Sequence, residues 1–249
     1  MKREKFGSRI GFILVSAGCA IGIGNVWKFP YLAGEMGGAA FILIYLLFLL
    51  IMGIPVLVCE FAIGRASRYS IAEAFETLEP EGTKWHWTKW IGILGSYLLM
   101  MFYTTVAGWM LYYCFRNIRG DFAGAGTKEV EAGFTQMLGN APVMGLWTFI
   151  LIAAGFGICW FGIQNGIEKV SKVMMSVLFL IMIVLAVRSV FLEGAGEGVR
   201  FYLIPDFQKM QEIGIGNVIF GAMSQAFFTL SIGIGAMMIF GSYLGKERS

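Results

Sequence analysis

The sequence predicts an all-α integral membrane protein, a single transmembrane domain of six helices, the first and last of which carry glycine clusters. Three observations carry this. Hydrophobic residues make up 57% of the 249 positions and charged residues 14%, with a mean hydropathy of +0.73, whereas soluble domains run about 45–50% apolar and about 25% charged. Six stretches are apolar over the roughly 20 residues that a helix needs to cross about 30 Å of hydrocarbon. Two of the six hold glycine clusters at mid-span.

The spans fall at about 10–33, 39–64, 90–115, 143–162, 173–192 and 215–244. The first opens behind a basic start, Lys2 to Arg9, and runs through "AGCAIGIGNVWKFP" at 17–30. Its apolar run continues past Cys19, so it reads as a membrane anchor and not as a cleaved leader. The second carries Pro55 behind Gly53, which predicts a bend that neighbouring helices can tolerate. Between the second and third lies a long polar link, 65–89. There Ile71, Phe75 and Leu78 recur at helical spacing with Glu73, Glu76 and Glu79 around them, the pattern of a short surface helix. Trp85, Trp87 and Trp90 follow as an interfacial aromatic belt. The link at 117–142 shows only glycine-rich flexibility around Gly124 and Gly126. The sixth span holds "FFTLSIGIGA" at 227–236, with Thr229, Ser231, Gly233 and Gly235 in its middle.

Orientation follows from lysine and arginine. With the N-terminus inside, twelve basic residues flank the spans on the cytoplasmic side and seven on the outer side, which favours a cytoplasmic N-terminus in the cell membrane. Cys19, Cys59, Cys114 and Cys159 show no C-x-x-C spacing, and His86 is the single histidine. Zinc and disulfide chemistry therefore lack support, and the cysteines read as small core residues. No paired acids, nucleophile–base pair or metal cluster lies at membrane depth, so an enzyme is not expected. No organic cofactor is expected, and the small net charge of +3 gives no sign of nucleic acid.

The glycine clusters raise the functional question. Glycine costs about 1 kcal/mol relative to alanine inside a helix, and an unsatisfied backbone group in lipid costs several. The string Ile-Gly-Ile-Gly occurs at both 21–24 and 232–235. Spacing alone leaves two readings open. The glycines could permit close helix packing. They could instead mark two broken helices in matching repeats, the sequence sign of a transporter binding site. A broken helix offers free N–H groups and a partial positive charge to a carboxylate. Its unwound carbonyls suit Na⁺ or an ammonium group.

The residues that decide between these resemble the neurotransmitter:sodium symporter family, in its LeuT-like bacterial amino-acid form. The resemblance is carried by "GSRIGFILVSAGCAIGIGNVWKFPYLAGEMGGAAF" at 7–41, "GIPVLVCEFAIGR" at 53–65, Tyr103 with Trp109, "GIEKVSKVMM" at 166–175, "PDF" at 205–207 and "QAFFTLSIGIGA" at 225–236. It implies the LeuT-type inverted-repeat fold, here the first five-helix repeat plus the first helix of the second. It implies a sodium-coupled symporter of small neutral amino acids working by alternating access. Gly18 and Ile21 would serve one sodium site through their carbonyls, and Ala20, Asn25 and Thr229 the other. The substrate would meet Ala20, Ile23, Gly24, Tyr103, Phe228, Thr229 and the Ser231 region, within a pocket shaped by Leu99, Phe228 and Ile234. Arg3 and Phe6 match inner-gate positions, and Lys28 stands at the outer gate, where an arginine is usual. Tyr45, Gln225 and Thr229 match part of the chloride site of chloride-dependent members.

Gly22 stands where amine-transporting relatives carry an aspartate. A substrate without a carboxylate needs that charge from the protein, so glycine favours an α-amino acid. Ile234, where some relatives have phenylalanine, leans toward larger apolar or aromatic side chains. The family's later helices hold the remaining sodium ligands, so the expected partners include the carboxy-terminal half, as a separate chain if not the same one, besides the amino acid, Na⁺ and lipid. The rival expectation is a non-transporting scaffold or assembly subunit derived from the same family.

Overall fold

The computed structural model describes residues 6–244 and, among them, helices joined by turns. The elements are α1 (Arg9–Ala20), α2 (Gly24–Glu35), α3 (Ala39–Ser67), α4 (Ile71–Leu78), α5 (Trp85–Arg119), α6 (Thr127–Leu138), α7 (Ala141–Trp160), α8 (Ile163–Val190), α9 (Ala195–Leu203), α10 (Phe207–Ile213), α11 (Ile215–Leu230) and α12 (Ala236–Ser242). Four of these, α3, α5, α7 and α8, are long and apolar enough to cross a membrane. The number rises to six if each of two bent pairs counts as one span: α1 with α2, bent by 55°, and α10 with α11, bent by 97°.

The chain divides into two compact units, residues 1–92 with 163–249, and residues 93–162. In the first, α2, α3 and α11 share a core of Ala33, Phe41, Tyr45, Val218, Ala222 and Ala226. A second cluster joins Phe6, Val15 and Ile163. The closest backbone approach pairs α3 with α12. A side chain on Gly64 would collide with the Met238 carbonyl, and one on Gly241 would stand 2.7 Å from the Phe61 carbonyl. Lipid tails are as apolar as leucine, so small residues that let helices touch supply the packing that hydrophobicity supplies in water.

In the second unit, Gly108 seats α5 against Thr148 of α7, and Tyr112 meets Trp147 at 5.8 Å. The link at 117–142 contains a full helix, α6, that glycine content hides. Its start is held by the Glu129 carboxylate accepting from the Gly126 N–H at 3.1 Å, as a capping carboxylate does.

Several other expectations are corrected. Just before Pro55 the second span makes a π-helical turn, Leu49–Gly53, and α3 runs as one helix of 29 residues. The helix that carries the stretch at 173–192 starts ten residues before 173, at Ile163, because Ile163–Glu168 forms another π turn leading into it. Its polar residues, Gln164, Asn165, Glu168 and Lys169, had hidden that start. The sixth span is interrupted where its glycines predict, α11 ending at Leu230 and α12 starting at Ala236. The surface helix α4 forms as read, but it buries Ile71 and Ala74 while Leu78 is left 43% exposed. Cys59, Cys114 and Cys159 lie on exposed helix faces and not in a core. Composition does not tell the inner from the outer face of an apolar helix.

Candidate substrate and cation site

Both predicted interruptions are present. The α1 ladder ends with the Ile21 N–H on the Ala17 carbonyl, and Ile21 leaves helical geometry at φ −92°, ψ 88°. The ladder restarts when the Asn25 and Val26 N–H groups bond the Gly22 carbonyl at 3.0 and 3.3 Å. Ile23 and Gly24 therefore stand at the N-terminal edge of the new helix, where amide donors point outward. In the last span, Ser231 takes a left-handed conformation, with Gly233 and Gly235 also at positive φ. Glycine tolerates that region without the Cβ clash that other residues meet.

The two breaks meet. The Thr229 hydroxyl donates to Asn25 Oδ1 at 2.9 Å and accepts from the Tyr45 hydroxyl at 3.1 Å. The Asn25 amide donates to the Ala20 carbonyl at 2.7 Å. Ser231 Oγ donates to the Cys19 carbonyl at 3.2 Å. Gln225 Nε2 donates to the Gly24 carbonyl at 3.0 Å. Phe228 lies so close over Gly24 that a Cβ there would overlap its ring, and the Lys28 ammonium stands 5.1 Å from the centre of that ring.

Ala20, Asn25 and Thr229, read as ligands of one sodium site, thus form one cluster. Its oxygens are all neutral. The Ala20 carbonyl and Asn25 Oδ1 each accept a single hydrogen bond and keep a second lone pair. Hard oxygen donors without a carboxylate suit a monovalent cation. Gly18 faces Met175 of α8. Tyr45 and Thr229 also come together, the Tyr45 hydroxyl donating to Thr229, while Gln225, one turn before Thr229 on α11, donates to the Gly24 carbonyl. Ile234 lies within the break. Leu99 and Tyr103 belong to the second unit, one turn apart on α5. Phe6 is buried against Phe12, Phe240 and Tyr243, with ring centres 5.4, 6.5 and 6.2 Å away. Arg3 lies outside the described residues.

Two carboxylates emerge that residue patterns had not assigned. Glu60 is 3% exposed. Its Oε1 accepts from the Gly233 N–H at 2.6 Å and its Oε2 from the Met237 N–H at 3.2 Å, so it ties the middle of the second break to the start of α12. Glu168, 2% exposed, accepts from the Gly7 N–H at 2.7 Å, from Ser8 Oγ at 2.9 Å and from Lys172 at 2.7 Å. It ties the segment before α1 to α8. For Glu60 the available signal was a lone acid inside an apolar stretch, which needs buried partners to be tolerated; Glu168 stands among Gln164, Asn165 and Lys169 and gave none.

Two interrupted helices that meet at their breaks, lined by backbone dipoles and neutral oxygens, are the arrangement from which broken-helix transporters build their sites. The profile of the Sodium:neurotransmitter symporter family matches residues 3–131 and 136–249, and the chain belongs to that family. It is 39% identical over its full length to an uncharacterized sodium-dependent transporter, YhdH, of Bacillus subtilis, covering 54% of that protein. It is 29% identical to a sodium- and chloride-dependent taurine transporter of Rattus norvegicus, with 97% of this chain and 44% of that one matched. Among solved structures, the crystal structure of MhsT in complex with L-phenylalanine superposes with a TM-score of 0.88 at 39% identity, over 99% of this chain and 55% of that one. The chain spans about half the length of the curated relatives it matches. The fold is thus the all-helical LeuT-like one, and the protein is a homologue of sodium-dependent membrane transporters.

Proposed function

We propose that this chain supplies the first half of a sodium-coupled symporter for small neutral amino acids, apolar or aromatic, in the cell membrane with its N-terminus cytoplasmic. The observation that carries this is the direct bond between the breaks, Thr229 to Asn25 at 2.9 Å, beside the Ala20 carbonyl. Na⁺ is held by Ala20, Asn25 and Thr229. The substrate carboxylate lies against the N–H groups at Ile23 and Gly24, where the helix dipole favours an anion. The ammonium faces carbonyls at Ala20, Phe228 and Thr229. Phe228 and Ile234 bound the side chain. Gly18 and Ile21 contribute carbonyls to a second Na⁺. Phe6 and Lys28 act at the inner and outer gates.

Neutral substrates follow from the site's lack of fixed charge and from Gly22, which leaves the carboxylate to the substrate. The phenylalanine named for the MhsT complex supports the apolar or aromatic class. Cation sites built from these residues alone have too few ligands to bind tightly, so residues 1–249 are proposed not to complete a transport cycle by themselves. The test uses labelled L-phenylalanine and L-leucine with the chain in proteoliposomes, in Na⁺ or choline, alone and with the family's remaining helices supplied as a second polypeptide. Na⁺-dependent uptake is expected only with both parts present. Uptake by the chain alone would refute the half-transporter reading. Competition by dopamine-like amines, but not by free amino acids, would refute the substrate class.

A further inference from the structure

The surface helix α4 reaches the end of the second break through Ile71. Ile71, its first residue, is 7% exposed and faces two glycines from different elements. One is Gly92, buried near the start of α5, where an added Cβ would overlap the end of the isoleucine and lie 3.0 Å from its Cγ1. The other is Gly235, the last residue of the second break, at φ +76°, where a Cβ would come within 2.7 Å of Ile71 Cβ and 2.8 Å of its Cδ1. Gly235 adjoins Ile234 and precedes by two residues Met237, whose N–H is held by Glu60.

The far end of α4 is tied down too. Glu79 accepts from the His86 N–H at 3.0 Å and its other oxygen lies 2.8 Å from the His86 ring nitrogen. Glu76 meets Lys89 at 3.3 Å. His86, Lys89 and Gly92 all belong to the first turns of α5. The helix is therefore anchored along its length to α5 while its first side chain presses on the rim of the break. An interior packed at crystal density transmits such a contact, because neither glycine leaves room for the isoleucine to yield.

We infer that Ile71 is a positioning residue: α4 is a strut that sets the geometry of the break at 231–235 through the isoleucine wedged between Gly92 and Gly235. The consequence for substrate binding rests on the amino-acid symporter reading; the mechanical role does not. Hydrogen exchange at the amides of 231–237, measured on the chain in detergent without ligand, reads the strut directly. Ile71→Ala should speed exchange there by about tenfold, while α7 stays unchanged, as expected of a local opening. Ile71→Val, which removes only Cδ1, should give a smaller effect of the same sign, and it serves if the alanine variant fails to fold. Gly92→Ala, which crowds the isoleucine, should also speed exchange. Ile71→Ala combined with Gly92→Ala should lie nearer the parent protein than either single variant, since the new methyl takes space that Cδ1 vacated. Unchanged exchange at 231–237, uniform acceleration across the first unit, or additive single effects would each overturn the strut. Na⁺-dependent amino-acid binding, with the remaining helices supplied, should weaken in the same order among the variants. If the parent protein binds no amino acid while exchange responds as stated, the substrate reading fails and the strut stands.

Discussion

Replacing Glu60 by glutamine tests how the second break is held open. The carboxyl is 3% exposed and bridges the break, one oxygen on the Gly233 N–H at 2.6 Å and the other on the Met237 N–H at 3.2 Å. Glutamine keeps one acceptor oxygen and puts an NH₂ where the other stood. In the better of its two orientations it still accepts from Gly233, and it then turns a donor toward the Met237 N–H. Met237 is 1% exposed, so its amide finds no water. A buried donor left unmatched costs about 1–3 kcal/mol. Taking about 2 kcal/mol, the local opening equilibrium should rise by about 30-fold, at 1.4 kcal/mol per factor of ten. Exchange under conditions where opening is an equilibrium should therefore accelerate about 30-fold at Met237. The Gly233 amide, still bonded, should respond less. The Gly24 edge of the first break, which Glu60 does not touch, should change little. If Met237 exchanges as in the parent protein, or if Gly24 and Met237 accelerate alike, the carboxyl is not the brace of this break.

Two more outcomes follow. Gly24→Ala places a methyl inside the van der Waals envelope of the Phe228 ring, and the overpacking should cost about 1–3 kcal/mol, seen as a five- to 150-fold weaker Na⁺-dependent amino-acid affinity by equilibrium binding; unchanged affinity would mean that Phe228 does not close on Gly24. In the link before α5, burial raises the Glu79 carboxyl but the hydrogen bonds from His86 outweigh it, so its pKa lies below the ordinary value. A depressed folded value means that the Glu79–His86 clip contributes fully above the unfolded pKa of about 4.3 and is lost as pH falls through the lower folded value. Tryptophan fluorescence of Trp85 and Trp87 should show an acid transition below that pH, absent in Glu79→Gln; a transition centred near neutrality would contradict the assignment.

The two breaks were legible because broken membrane helices are costly and therefore conspicuous. Glycines at 18, 22 and 24 and at 233 and 235 stand where no lipid-facing helix keeps them without reason. The apolar lengths marked the long helices, except at 163–172, where polar side chains masked a helix that begins with a π turn. The cysteines were misread because an apolar helix looks alike on its buried and exposed faces. The helix at 127–138 was missed because its capping carboxylate, Glu129, sits behind a glycine-rich run that reads as loop.

Local composition by itself determined that the chain enters the membrane, how often its apolar length allows it to cross, and where two crossings give way, since these depend on hydropathy and on backbone cost per residue. Only the tertiary structure decided which oxygens the breaks share, that Glu60 spans the second one, and that Ile71 reaches its rim from a surface helix more than 160 residues away in the chain. Those contacts depend on close approaches between distant segments, and pairwise distance is a property that no local pattern of residues encodes.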